Sequence, residues 1–286
     1  MLGNNGFNKE ETRYSMPLVI VYYGVPLPGK SNPYIVLRSK DPSLVSIAVG
    51  IDEAEKASSV KTSGVSLGWR YELAIKSFVD EVSARLEQPL HVVLDISVKG
   101  VSFPPASSIY AAASLAIVRA VSELGGYELA VDEVLQAAND IDRESGVGLD
   151  YLEAMRAAII RGKSLIYRRG EEPVDLPSNR EIILELVGEE DIGDDITGRL
   201  EDPIYSEITR LLGLNVIEVA AKLRENSQDN VETDLSIYER IENAAYYMLY
   251  GAGIPDPGCK WTPSLQRVYG VCRPGTKLGD EVVFLL

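Results

Sequence analysis

Hydrophobic and polar positions along this chain switch between a period of two and a period near 3.6. Residues 18–23 (LVIVYY) are a run of β-branched and aromatic side chains, which predicts a buried strand. Residues 34–38 and 44–50 predict two more strands around a turn at Asp41-Pro42, and residues 90–98 alternate as a strand does. Residues 71–86 place Leu73, Ala74, Phe78, Val82 and Leu86 at helical spacing. The polar stretch 52–68 and the Pro- and Gly-bearing stretch 24–33 read as loops.

Residues 101–105 read as a strand ending at two prolines. Three helices are expected next, over 108–124, 130–143 and 150–161. The first is dense in alanine (Ala111, Ala112, Ala113, Ala116, Ala120), which suits close approach to its neighbours. A strand over 164–168 follows, then a stretch at 171–178 with two prolines and two glutamates that is the best domain boundary. Beyond it the pattern gives a strand at 181–187, helices at 203–212, 216–226 and 234–250, and two terminal strands, 268–272 and 281–286, around a Pro-Gly turn. The fold class expected is α+β in two parts, residues 16–174 with a mixed sheet and helices and residues 175–286 with helices on a small antiparallel sheet. Residues 1–15 are polar and read as a disordered lead-in or an extension.

A chain of 286 residues suits one or two domains, each able to bury a core. A formal charge of −15 excludes a general nucleic-acid binder, which needs a basic face. No apolar run reaches the ~18 residues of a membrane span, and no signal-peptide core is seen, so a cytoplasmic location is expected. Cys259 and Cys272 are not a disulfide framework; they are read as separate thiols in preference to a pair. With the single histidine far off at His91, they make no zinc site, and no metal ligands are assigned.

Three places carry candidate chemistry. Residues 24–31 (GVPLPGKS) fit the phosphate-binding pattern G-x-x-x-x-G-K-[ST]. Against that reading, Pro26 and Pro28 remove two N–H donors, and Pro33 and a strand pattern follow where a helix must start. A proline-rich loop is the simpler account. Ser107 and Ser108 sit at the start of the alanine-rich helix, where free N–H groups and the helix dipole favour an anion. They serve equally as helix caps. Residues 145–150 (SGVGLD) set Asp150 behind two glycines at a helix start, placed to accept a hydroxyl proton or to cap the helix.

Taken together, Pro28-Gly29-Lys30 after the first strand, VSFPPASSIYAAASL at 101–115, and SGVGLD at 145–150 resemble the three-part layout of the GHMP kinases. That resemblance covers residues 18–167 well and the rest through the order of elements. It implies ATP-dependent phosphorylation of a hydroxyl on a small metabolite, with Mg²⁺. It implies Asp150 acting on the substrate hydroxyl and Lys30 on the transferred phosphoryl group, catalysis being mostly positioning and electrostatics. Pro105, Ser107, Ser108 and Ala112 would hold the nucleotide, and Ser145, Gly146 and Gly148 the substrate. The partners expected are a small-molecule substrate and no nucleic acid or membrane; a homodimer is compatible.

The chain also departs from the pattern. Ile109-Tyr110-Ala111-Ala112-Ala113 stands where the family has glycines, and residues 258–272 (GCKWTPSLQRVYGVC) replace a late glycine loop. The alternative function is therefore a non-catalytic GHMP-like protein that binds a metabolite or a protein partner. Of the remaining residues, His91 and Asp95 read as structural or solvent-facing, and Glu189, Glu190, Asp191, Asp194 and Asp195 as a solvated acidic loop. Trp261, Arg267, Tyr269 and Arg273 read either as core and surface of terminal strands or as a stacking and phosphate-pairing cluster.

Overall fold

The computed structural model describes residues 11–26, 32–146, 150–177, 180–191, 202–226, 235–265 and 267–286. Two compact units are each assembled from separate stretches of chain. The first comprises Met1–Met16, Ser43–Lys99 and Ile109–Gly148, the second Pro17–Pro42, Gly100–Ser108 and Leu149–Leu286.

Among the described residues the first unit holds a four-stranded sheet of β1 (Glu11–Met16), β4 (Val45–Glu53), β6 (Leu90–Val98) and β5 (Ser59–Gly64), in that spatial order. Strand β1 pairs antiparallel with β4 from Glu11↔Gly50 to Met16↔Val45, so residues 11–15 are an ordered edge strand and the disordered reading does not hold for them. Strand β5 lies in the polar stretch 52–68, whose pattern reads as loop. It runs parallel to β6, and a parallel pair requires a crossover, which helix α1 (Trp69–Leu86) supplies. Gly64 ends β5 with φ 78°, and a Cβ there would lie 1.9 Å from the Ile96 carbonyl oxygen. Helix α1 packs on β5, β6 and helix α3 (Val131–Ser145). The chain passes between the units inside α2 (Ala106–Leu124), whose small side chains Ala111, Ala112 and Ala113 are fully buried.

The second unit's sheet has eight strands among the described residues. Its order is β10 (Cys259–Ser264), β11 (Arg267–Cys272), β9 (Glu181–Asp191), β12 (Asp280–Leu285), β3 (Tyr34–Ser39), β7 (Leu165–Tyr167) and β8 (Val174–Asp175), with β2 (Val19–Tyr23) also on β3. The stretch 171–178 thus contributes β8 and runs within this unit. The two terminal strands do not form a hairpin; β11 and β12 flank β9 on opposite sides. The hairpin is instead β10–β11, and Cys259 and Cys272, directly opposed in its register, form a disulfide, which corrects the reading of separate thiols. Helix α4 (Asp150–Arg161) packs on β2 and β3, and α6 (Ser236–Tyr250) packs on β10. The two helices expected at 203–212 and 216–226 are one, α5 (Pro203–Asn226). Val25, Leu212, Tyr246, Leu249, Trp261 and Val268 form a core cluster under α5 and α6. No helix among the described residues is long and apolar enough to cross a membrane.

Candidate functional site

The start of α2 is built from the segment before it. Residues 101–105 pair with no strand, contrary to expectation. Side chains hold them instead: the Ser102 amide donates to Asp280 Oδ2 at 2.6 Å, and the Tyr269 hydroxyl donates to the Phe103 carbonyl. Burial pushes the Tyr269 hydroxyl pKa up, so it stays a protonated donor. Pro105 is buried, and its carbonyl accepts the Ser108 amide at 3.0 Å, closing the first turn.

Ser107 and Ser108 are both fully buried. Ser108 Oγ accepts the Val19 amide at 3.1 Å and so ties α2 to β2. The Ser107 amide donates to Ser264 Oγ at 3.4 Å, and Ser107 Oγ donates to the Pro263 carbonyl at 3.4 Å. The Ala106 amide, a free donor at the mouth of the helix, donates to Glu189 Oε1 at 2.9 Å. Ser264 Oγ donates to the same carboxylate oxygen, and Arg267 stands 3.8 Å from the other. A side-chain carboxylate therefore occupies the place where this helix start would receive an anion. Glu189 belongs to β9, opposite Tyr269 of β11, and the acidic-loop reading fails for it.

The other expected site residues are distributed as follows. Ala112 is buried two turns along α2, where it offers no polar atom. Ser145 ends α3 and donates from Oγ to the Asp142 carbonyl at 2.7 Å, and Gly146 caps that helix with φ 75°. Asp142, which sequence reasoning passed over, is a buried carboxylate receiving the Tyr71 hydroxyl at 2.9 Å. Asp150 is the first residue of α4. Its side chain, Lys30 and Gly148 lie outside the described residues, as do Asp194 and Asp195. Among the described residues of the GVPLPGKS match, none opens a helix; the chain goes from β2 to an antiparallel β3, so the P-loop reading fails.

A second cluster, also missed, lies where β2 ends. Lys260 and Glu242 are a fully buried ion pair at 2.8 Å. Lys260 Nζ also donates to the Tyr22 carbonyl and stands 3.7 Å from the Tyr23 ring centre. Glu242 accepts the Gly24 amide at 2.6 Å. Glu239 accepts the Tyr22 hydroxyl at 3.2 Å and pairs with Arg273 at 3.0 Å. Burial raises the Glu242 pKa, and Lys260 and the Gly24 amide offset only part of that. Gly24 itself has φ 118°, and a Cβ there would lie 2.6 Å from the Tyr34 ring. The network fixes the exit of β2 from α6 and β10. The four residues of the aromatic-basic cluster have separate partners: Arg273 belongs to this network, Arg267 and Tyr269 to the α2 start, and Trp261 is buried with its Nε1 donating to the Gly253 carbonyl at 2.7 Å. His91 accepts or donates at Nδ1 across β5–β6 to Ser59, 2.7 Å away, and Asp95 receives Ser63 at 2.8 Å, both structural.

At the α2 start, the described residues do not offer free donors to the nucleotide that the resemblance implies. Ala106 and both serines already have partners within the protein, and the α2 mouth carries a negative charge where a nucleotide would bring its own. No cluster of His, Cys, Asp or Glu able to hold a metal ion occurs among the described residues.

No sequence-family model and no curated protein matches the chain. Solved structures do. A mevalonate pyrophosphate decarboxylase from Streptococcus pyogenes matches over 98% of this chain and 98% of its own, with 9% identity and a TM-score of 0.60. The phosphomevalonate kinase of Streptococcus pneumoniae matches over 96% of this chain and 91% of its own, with 9% identity and a TM-score of 0.59. The mevalonate kinase of methicillin-resistant Staphylococcus aureus matches over 93% and 91%, with 18% identity and a TM-score of 0.56. These are GHMP kinase superfamily proteins, and the likeness establishes that this chain has their α+β fold.

Proposed function

We propose that this chain is a non-catalytic binding protein on the GHMP-kinase fold, one that takes a small metabolite or a protein partner and does not transfer phosphate. The observation that carries this reading is the Glu189 carboxylate on the Ala106 amide at 2.9 Å. A phosphate seeking the same donors meets a like charge within a few ångströms, where repulsion is strongest. The missing glycines at 109–113 add to it, since Tyr110 donates its hydroxyl to the Leu67 carbonyl and its ring packs 4.0 Å from that of Tyr71. That side chain is part of the framework.

ATP-dependent phosphorylation of a metabolite hydroxyl is the second reading. Likeness to two enzymes that are kinases by name favours it. There Asp150 orients the hydroxyl, Lys30 meets the phosphoryl group, and Glu189 has to leave the α2 start. The test is phosphate transfer from ATP to a panel of hydroxylated sugars, branched-chain acids and amino acids, with Asp150→Ala as the control. The expected result is no transfer that depends on Asp150. Transfer that Asp150→Ala abolishes establishes the kinase reading and ends the first one.

A further inference from the structure

Helices α5 and α6 pack on each other, joined by the Asn215 side-chain amide donating to the Tyr238 carbonyl at 3.3 Å. Each also rests on the second unit's sheet, α5 on β3 and α6 on β10. Their outer faces are unusually apolar. On α5, Leu211, Leu214 and Ile217 are 49%, 46% and 56% exposed. On α6, Ile237, Ile241 and Tyr247 are 61%, 41% and 54% exposed, and Met248 continues the same face. At about 100 Å² apiece these side chains present roughly 700 Å², above the usual largest patch of a monomer and close to the ~800 Å² each partner gives to a stable interface.

The charges around this face identify the occupant. The chain as a whole carries −15, so two copies repel over most of their surface. The exposed charged residues of α5 and α6 instead balance. Glu207, Glu218 and Glu225 stand against Arg210, Arg224 and Arg240, with Glu207 and Arg210 already paired. A basic partner finds no net attraction here, and the acidic surfaces elsewhere draw it away. A second copy finds an apolar surface where the mutual repulsion is smallest, and a face used by both copies closes as a two-fold pair. We propose that the outer faces of α5 and α6 form the contact between two copies of this chain. The inference does not depend on whether the protein transfers phosphate.

The test is sedimentation equilibrium of the whole chain over a concentration series, with Ile217→Glu, Ile241→Glu and, on the unrelated exposed helix α1, Leu73→Glu. All three side chains are solvent-exposed, and circular dichroism checks that each variant folds. The wild type is expected at twice 31.3 kDa, with each of the first two variants raising the dimer dissociation constant tenfold or more and Leu73→Glu leaving it unchanged. A wild type that stays at 31.3 kDa up to about 100 μM, too weak for a stable interface, overturns the proposal. So does a dimer that survives both substitutions, or one that Leu73→Glu disrupts equally.

Discussion

Removing the Glu189 carboxylate separates a plugged helix start from an open one. In the native protein that group is mostly buried, its side chain 17% exposed, and it receives the Ala106 amide at 2.9 Å and the Ser264 hydroxyl. A hydrogen bond to a charged group contributes about 1.5–3 kcal/mol, and an anion in a partly buried first turn gains up to about 2 kcal/mol from the dipole. These overlap and Ser264 can reorient, so Glu189→Ala is expected to cost about 3 kcal/mol. Glu189→Gln keeps an acceptor and loses the charge, for a cost of about 1–2 kcal/mol. Urea denaturation of the three proteins measures this. Repeating it with inorganic phosphate adds a second readout: phosphate should raise the midpoint of Glu189→Ala by occupying the freed donors and leave the wild type unmoved. If Glu189→Ala is within about 0.5 kcal/mol of the wild type, the carboxylate does not hold this helix start and the reasoning is wrong.

Other perturbations address the rest of the framework. Lys260→Met leaves Glu242 buried without its cation and should cost about 3–5 kcal/mol, much of it recovered when Glu242→Gln is added, as denaturant midpoints would report. Glu242 has a raised native pKa, so the native state holds its proton at pH values where the unfolded chain has released it. Its contribution is therefore full below the ordinary carboxylate range and is lost as pH rises through the raised value. Relative to Glu242→Gln, the wild type should lose stability over that rise, and a flat difference would contradict the assignment. Replacing Cys259 and Cys272 by alanine opens a crosslink 13 residues apart and should lower stability by about 3 kcal/mol, the loop-closure value, measured against the wild type without reductant.

Where local pattern decides structure, the sequence is a good guide. The β-branched run at 18–23 is β2, the alternation at 90–98 is β6, and the alanine-rich stretch is the buried α2. Elements made by tertiary partners were not legible. Strand β5 (SVKTSG) has no apolar period and exists through parallel pairing with β6. Strand β10 carries Pro263, which argues against a strand except at an edge, and an edge is where it lies. The helices expected over 203–212 and 216–226 are one because Gly213 lies inside α5, where its loss of about 1 kcal/mol of propensity is small beside the packing of the helix's inner face. The start of α2 was visible as a candidate anion site. Its occupant was not, because a glutamate in an acidic run looks solvated until β9 pairs with β11 and carries it to Ala106.

Titration calorimetry of the wild type with Mg-ATP tests the central claim most directly. With Glu189 seated on the α2 start, no saturable heat is expected at millimolar nucleotide. Saturable binding in the micromolar range, weakened by Ser107→Ala or Ser108→Ala, would contradict it and return the chain to the phosphate-transferring members of its fold.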